Sequence, residues 1–195
     1  MLKIVHRVNS IRELKNIPTK YGIEVDIRNE GKKLILNHDP YYEGDSFENY
    51  CKEYKHAFLV LNIKTEGIEK EALRIVKKSG IKNYMLLDIT FPTILKLSNE
   101  KEKNIAIRFS EYEPIENAIS LKGKVKWVWV DTFTKLPLTK KIYERIRKNG
   151  FKIFLVSPDR WGRKKDIEKY SKYFKKNNIK IDAVMSSKEL IGRWD

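Results

Sequence analysis

Apolar residues along the chain follow two periods. Short runs alternate or are continuously apolar, and longer stretches between them repeat every three to four residues. The short runs cover 3–6, 23–28, 33–38, 58–64, 84–89, 105–109, 125–131, 151–157 and 183–186. Their richness in Ile, Val, Phe, Tyr and Trp predicts strands. Helical spacing marks 68–79, 92–99, 113–121 and 138–149, with Gly80 and Gly150 standing where a helix would stop. A further amphipathic stretch lies over 163–180, anchored by Ile167, Tyr170 and Phe174. Strands alternating with helices predict a parallel α/β sheet.

One connection breaks the alternation. Only Asn29-Glu30-Gly31-Lys32 separates the second and third runs, which predicts a tight antiparallel hairpin. Counting the hairpin as one station leaves eight. Eight stations predict a compact (β/α)8 TIM-type barrel, and the alternative is an open doubly wound sheet. The chain is short for a barrel, so helices must be shortened or missing, and the loop after His38 is the expected place. The expected organisation is one domain over 1–195. The barrel reading gains from the polar residue that closes nearly every run: His6, Asp26, His38, Lys64, Asp88, Arg108, Asp131, Ser157 and Ser186. In a parallel barrel these positions gather at the C-terminal mouth, where catalytic groups collect.

Composition narrows the classes. With 195 residues and 41% hydrophobic content, the chain is long enough for a sizeable core. No apolar stretch approaches the roughly 18–20 residues needed to cross a bilayer. The opening Met1-Leu2-Lys3-Ile4-Val5 reads as a strand rather than a signal peptide, so no membrane insertion and a cytoplasmic location are expected. Cys51 is the only cysteine, which excludes an internal disulfide and a cysteine metal cluster. The net charge of +15 resides largely in 140–152 and 163–180. Lysines between helical anchors read as a solvated face. No nucleic-acid-binding motif accompanies them, so no specific nucleic-acid partner is expected.

The candidate chemistry sits near the N-terminus. His6-Arg7 and His38-Asp39 each end an apolar run, and Glu24-Val25-Asp26 lies between them. Imidazoles move protons near neutral pH. Arginine grips phosphoryl oxygens, and paired carboxylates hold a hard cation. Strand alternation places Glu24, Asp26 and Arg28 on one face. Asn62 and Lys64 share a face, as do Trp127, Trp129 and Asp131. Lys64 is suited to neutralising a phosphoryl oxygen, Arg108 is a second candidate substrate contact, and Trp129 is a candidate apolar wall for a ligand. Trp127 reads as inner packing and His56 as surface. The loop Ser157-Pro158-Asp159-Arg160-Trp161-Gly162 joins polar and aromatic groups at a strand end.

The order His6-Arg7, Glu24-Val25-Asp26, His38-Asp39 and Ile63-Lys64 resembles the glycerophosphodiester phosphodiesterase family, relatives of the phosphatidylinositol-specific phospholipases C. The segments HRVNSI, LNIKTEGIE, RFSEYE, WVWVDTF and VSPD resemble a short branch of that superfamily. The resemblance implies that His6 and His38 are the acid/base pair. It implies Glu24 and Asp26 as ligands of Mg²⁺ or Ca²⁺, and Arg7 and Lys64 as phosphate contacts. A small phosphodiester would be the substrate: a glycerophosphodiester, a lipid headgroup or a phosphate-linked saccharide. Three positions depart from the family pattern. Val8 replaces the glycine of HRG, Asn62 stands where the third metal carboxylate is usual, and only Pro40 to Tyr54 is available for a capping insertion. Asp88 could compensate for Asn62. The alternative is a weak or inactive barrel that binds phosphate ligands.

Overall fold

The computed structural model describes residues 1–194. Their order is β1 (Leu2–Val5), α1 (Ile11–Leu14), β2 (Gly22–Glu30), β3 (Lys33–Leu36), β4 (Asp45–Ser46), α2 (Phe47–Glu53), β5 (Leu59–Ile63), α3 (Glu69–Lys78), β6 (Tyr84–Leu87), α4 (Phe91–Asn99), β7 (Ala106–Phe109), α5 (Ile115–Ser120), β8 (Trp127–Val130), α6 (Lys140–Lys148), β9 (Lys152–Val156), α7 (Asp166–Lys176) and β10 (Ala183–Ser186). The chain falls into two compact units, Val5–Thr93 and Met1–Ile4 with Ile94–Asp195. No helix among the described residues is long and apolar enough to cross a membrane.

In the unit Val5–Thr93, β2 is the organiser. It runs parallel to β5, with Glu24 opposite Val60 and Asp26 opposite Asn62, and β5 runs parallel to β6. On its other side β2 runs antiparallel to β3, closing the expected hairpin at Glu30↔Lys33. The turn requires Gly31 at φ 55°, a conformation that costs a residue with a Cβ more than it costs glycine. β4 then pairs antiparallel with β3, an element too short for a periodic signal. The core here is Val25, Ile27, Leu59, Leu61, Met85 and Leu86 on the strands, closed by Phe47 and Tyr50 of α2 and by Ala72 and Val76 of α3.

The helices of this unit are short, as the compact barrel requires. α1 is one turn, capped by Ser10: the Glu13 N–H donates to Ser10 Oγ at 3.1 Å and the Ser10 hydroxyl donates to the Glu13 carboxylate. After His38 no helix intervenes before β4. The segment 37–44 is held instead by Asn37, whose Nδ2 donates to the Glu43 carbonyl at 2.8 Å and whose Oδ1 accepts from the Asp39 N–H.

In the other unit β7, β8, β9 and β10 are parallel neighbours in that order. Trp127 and Trp129 point to the same face as Phe154, with Trp129 stacked on it at 4.5 Å. α6 and α7 bury Ile146, and Ile167, Tyr170 and Phe174, respectively, and turn most of their lysines to solvent, as the spacing predicts.

Candidate active site

The C-terminal ends of β1, β2 and β5 bring the N-terminal motifs together. Glu24 and Asp26, two apart on β2, are both buried. Arg7 has a left-handed backbone, φ 54°, unusual for a residue with a Cβ. That turn delivers its N–H to Glu24 Oε2 at 2.7 Å, which offsets the strain. His6 lies beside the same oxygen, with Nε2 at 3.8 Å. Glu24 Oε1 accepts from Asn62 Nδ2 at 2.8 Å.

Asp26 is gripped from every side. Lys64 Nζ is 3.4 Å from Oδ1, and Arg7 Nε is 3.7 Å from Oδ2. Asn9 makes a reciprocal pair, its Nδ2 donating to Asp26 Oδ2 at 2.9 Å and its Oδ1 accepting from the Asp26 N–H at 2.8 Å. Lys64 also reaches Asp88 at 3.8 Å, and Asp88 too has a left-handed backbone, φ 59°. Burial, and then the neighbouring Asp26 charge, push the Glu24 carboxyl up to about 7, against the pull of Asn62, the Arg7 N–H and Lys64. Two buried carboxylates side by side create a demand for cations.

Asn62 meets part of that demand in an unusual way. Its amide nitrogen serves Glu24, while its Oδ1 is buried without a hydrogen-bond partner. An orphaned buried oxygen beside two carboxylates is an oxygen-donor set that suits a hard cation. The set carries two carboxylates rather than three. Among the described residues no three His, Cys, Asp or Glu side chains cluster as a metal site. Asp88 lies beside Lys64, as Asp26 does, and shares its charge.

His38 stands on the other flank of β2. Its Nδ1 lies 2.7 Å from Asp39 Oδ1, and that bond is the main cause holding the Asp39 carboxyl below its usual range. No direct bond joins His38 to the Glu24–Asp26 group. The link is Arg28, which donates to the His38 and Lys64 carbonyls.

Several expectations need correction. His56 is not a surface residue: it is half-buried, bonded through Nε2 to the Ile17 carbonyl at 2.9 Å, and burial lowers its basicity. Val8 is no obstacle where the family pattern has glycine, because its side chain is buried in the core and its carbonyl accepts from Tyr50 Oη. Trp129 cannot wall a ligand, since it is 2% exposed and Phe154 covers its ring. Its Nε1 faces Asp131, 3.4 Å away. Arg108 pairs with that same buried carboxylate at 2.7 Å.

Trp161 and Tyr112 are the aromatic residues that this unit presents most to solvent. Trp161 is 44% exposed, its Nε1 donates to Asp131 Oδ1 at 3.0 Å, and its ring packs against Phe133, which in turn meets Tyr112. Asn62, whose side-chain oxygen the sequence already offers as a candidate metal ligand beside Glu24 and Asp26, lies at the site, and Asn9 is the site residue that sequence reading misses. Strand alternation already placed Arg28 beside Asp26, while nothing local marks Asn9.

At the level of sequence, no family profile and no curated protein matches the chain. Solved structures do. A proposed glycerophosphoryl diester phosphodiesterase from Agrobacterium tumefaciens strain C58 superposes with a TM-score of 0.72 at 10% identity, covering 98% of this chain and 95% of its own. A glycerophosphoryl diester phosphodiesterase from Parabacteroides distasonis gives 0.65 at 15% identity, covering 98% and 84%. A glycerophosphodiester phosphodiesterase from A. tumefaciens gives 0.67 at 14%, covering 98% and 99%. At such identities the likeness is one of fold. The chain has the α/β barrel fold of these phosphodiesterases, shortened at its helices.

Proposed function

We propose that this chain, sharing the fold of the glycerophosphodiester phosphodiesterases, is a divalent-cation-dependent phosphodiesterase that uses His6 and His38 as its acid/base pair. One observation carries the reading: a buried Glu24–Asp26 pair lies between His6 and Lys64, beside the unpartnered Asn62 Oδ1. Fold alone does not argue function. The same fold with this polar cluster at its strand ends does.

Glu24, Asp26 and Asn62 Oδ1 would hold Mg²⁺ or Ca²⁺. The ion would polarise a non-bridging phosphoryl oxygen and offset charge gathering there. Lys64 and Arg7 would receive the remaining phosphoryl charge, released in part from Asp26. His38, whose Nδ1 is occupied by Asp39, presents Nε2 with its lone pair. It would take the proton of the attacking water or substrate hydroxyl as the new P–O bond forms. His6 would give a proton to the departing alkoxide as the old P–O bond breaks. The substrate would be a glycerophosphodiester, a phosphate-linked saccharide or a lipid headgroup.

A second reading, a weak or inactive phosphate-binding barrel, draws on two observations. Asn62 supplies no charge, and Lys64 already balances Asp26 and Asp88. Phosphorus NMR with glycerophosphocholine and bis(p-nitrophenyl) phosphate separates the two. The test runs with Mg²⁺, Ca²⁺ or Mn²⁺ and then with excess chelator. Cation-dependent release of a monoester supports the enzyme. Phosphate binding without turnover under any cation supports the binding barrel.

A further inference from the structure

We propose that Arg28 is a positioning residue that fixes the strand ends carrying His38 and Lys64 in one geometry. The inference rests on the phosphodiesterase reading for its functional meaning and on the geometry for its substance.

Arg28 follows Glu24 and Asp26 on the same face of β2, yet its role differs. Its three hydrogen bonds all end on main-chain carbonyls: Nε and Nη2 on His38 at 3.1 and 2.8 Å, and Nη1 on Lys64 at 3.2 Å. The two carbonyls belong to strands on opposite flanks of β2, with β3 antiparallel on one side and β5 parallel on the other. Both lie where the ladders run out. The last rungs are Asn37 N–H to the Asp26 carbonyl at 3.1 Å and Lys64 N–H to the Ile27 carbonyl at 2.9 Å. Beyond them, the carbonyls of His38 and Lys64 are held by Arg28 and not by a strand partner. The rigid guanidinium holds them through a fork and a third donor that lysine cannot reproduce.

Water would satisfy exposed carbonyls at a strand end without ordering them. A half-buried arginine spent on two such carbonyls orders the residues that carry them. Here those residues are one proposed proton carrier and one proposed phosphate contact. Arg28 also adds positive charge near Asp39, the partner of the His38 imidazole. Displacement of a reacting group by about 1 Å can cost on the order of 100-fold in rate.

Three variants test this: Arg28→Lys, Arg28→Gln and Arg28→Ala. Each is scored per folded molecule, with the folded fraction from circular dichroism. The readouts are kcat, KM, calorimetric affinity for inorganic phosphate and the ¹⁵N spectrum of the His38 imidazole. The clamp predicts that Arg28→Lys, which keeps charge and length, still folds. It predicts a fall in kcat/KM of about 10- to 100-fold, weaker phosphate affinity and a changed His38 spectrum. Millimolar guanidinium should restore part of the loss in Arg28→Ala, saturably, and none in Arg28→Lys. If turnover, phosphate affinity and the His38 spectrum all match wild type per folded molecule, and only the melting temperature falls, Arg28 is a fold residue and the proposal is overturned. If wild type hydrolyses no phosphodiester, the enzyme reading fails alone. The His38 spectrum and phosphate affinity then still decide the clamp.

Discussion

Individual residues carry most of the proposed chemistry, and single substitutions read it. His6→Ala and His38→Ala should each lower turnover by about 100-fold or more, the scale of general acid–base groups. The double variant should lose less than the product of the two, because the pair works on one proton inventory. Steady-state kinetics on the three proteins checks this, and near-normal turnover in both single variants would remove the imidazoles from the mechanism. Asn62→Glu should tighten Mg²⁺ or Mn²⁺ measured by calorimetry, since it adds a charge to a set that holds two carboxylates. If affinity is unchanged, the orphaned Oδ1 does not belong to a cation site. His56 gives a pH signature elsewhere in the same unit. Its folded basicity is depressed by burial, so the unfolded chain takes the proton more readily. Its contribution to stability is complete above the unfolded value of 6.5 and is lost as pH falls through that value towards the lower folded one. Urea melts of wild type and His56→Gln should therefore converge as the pH is lowered. A constant gap between them at every pH would refute the assignment.

At the scale of elements, strand ends mattered more than strand centres. The run 183–186 coincides with β10, and the hairpin turn forms at Gly31 as the sequence predicts. The polar residues that close the runs are legible because alternation and run length are local properties. What closes the site is not local. Asn9 reaches Asp26 from a loop, and Arg28 reaches two carbonyls on different strands, so neither leaves a periodic trace. β4 is likewise defined by partners, through Asp45 Oδ2 accepting from the Ile11 N–H at 2.7 Å. Gly44 is the sharpest case. A Cβ there would sit 2.2 Å from the Leu36 carbonyl oxygen, a main-chain atom that cannot rotate away. Gly44→Ala should cost about 1–3 kcal/mol, the range for overpacking, and loosen the segment that presents His38. Chemical denaturation with hydrogen exchange at 37–46 reads both effects. Unchanged protection there would mean that the segment is fixed without the close approach.

For the molecule as a whole, charge and burial set the conduct. The excess of +15 lies mostly on solvated lysines of α6 and α7 and their flanks, where exposed pairs such as Lys140–Glu144 add little stability. A field of that sign should gather anionic diesters. With an anionic substrate kcat/KM should fall as salt rises while kcat holds, and with a zwitterionic substrate of equal size the slope should be shallower. Equal slopes would assign no steering to the lysines. Burial protects the single cysteine in the same global sense. Cys51 is nearly inaccessible and burial pushes its thiol up to about 12, so alkylation at pH 8 should proceed only through opening of the fold. A labelling rate that tracks urea concentration as the unfolded fraction does would bear this out.

The tryptophans bring an optical consequence. Three of the four, Trp127, Trp129 and Trp194, are covered, and Trp161 alone offers much of its indole to solvent. Its ring is not free to tumble, because Nε1 is tethered to the buried Asp131 carboxylate and a face leans on Phe133. The emission of the native chain should therefore comprise a blue, shielded component plus one redder component of fixed orientation. Acrylamide should extinguish the red part first, and Trp161→Phe should delete it. Anything settling on the Tyr112–Phe133–Trp161 ledge would register in that single chromophore, with no label attached and no turnover required.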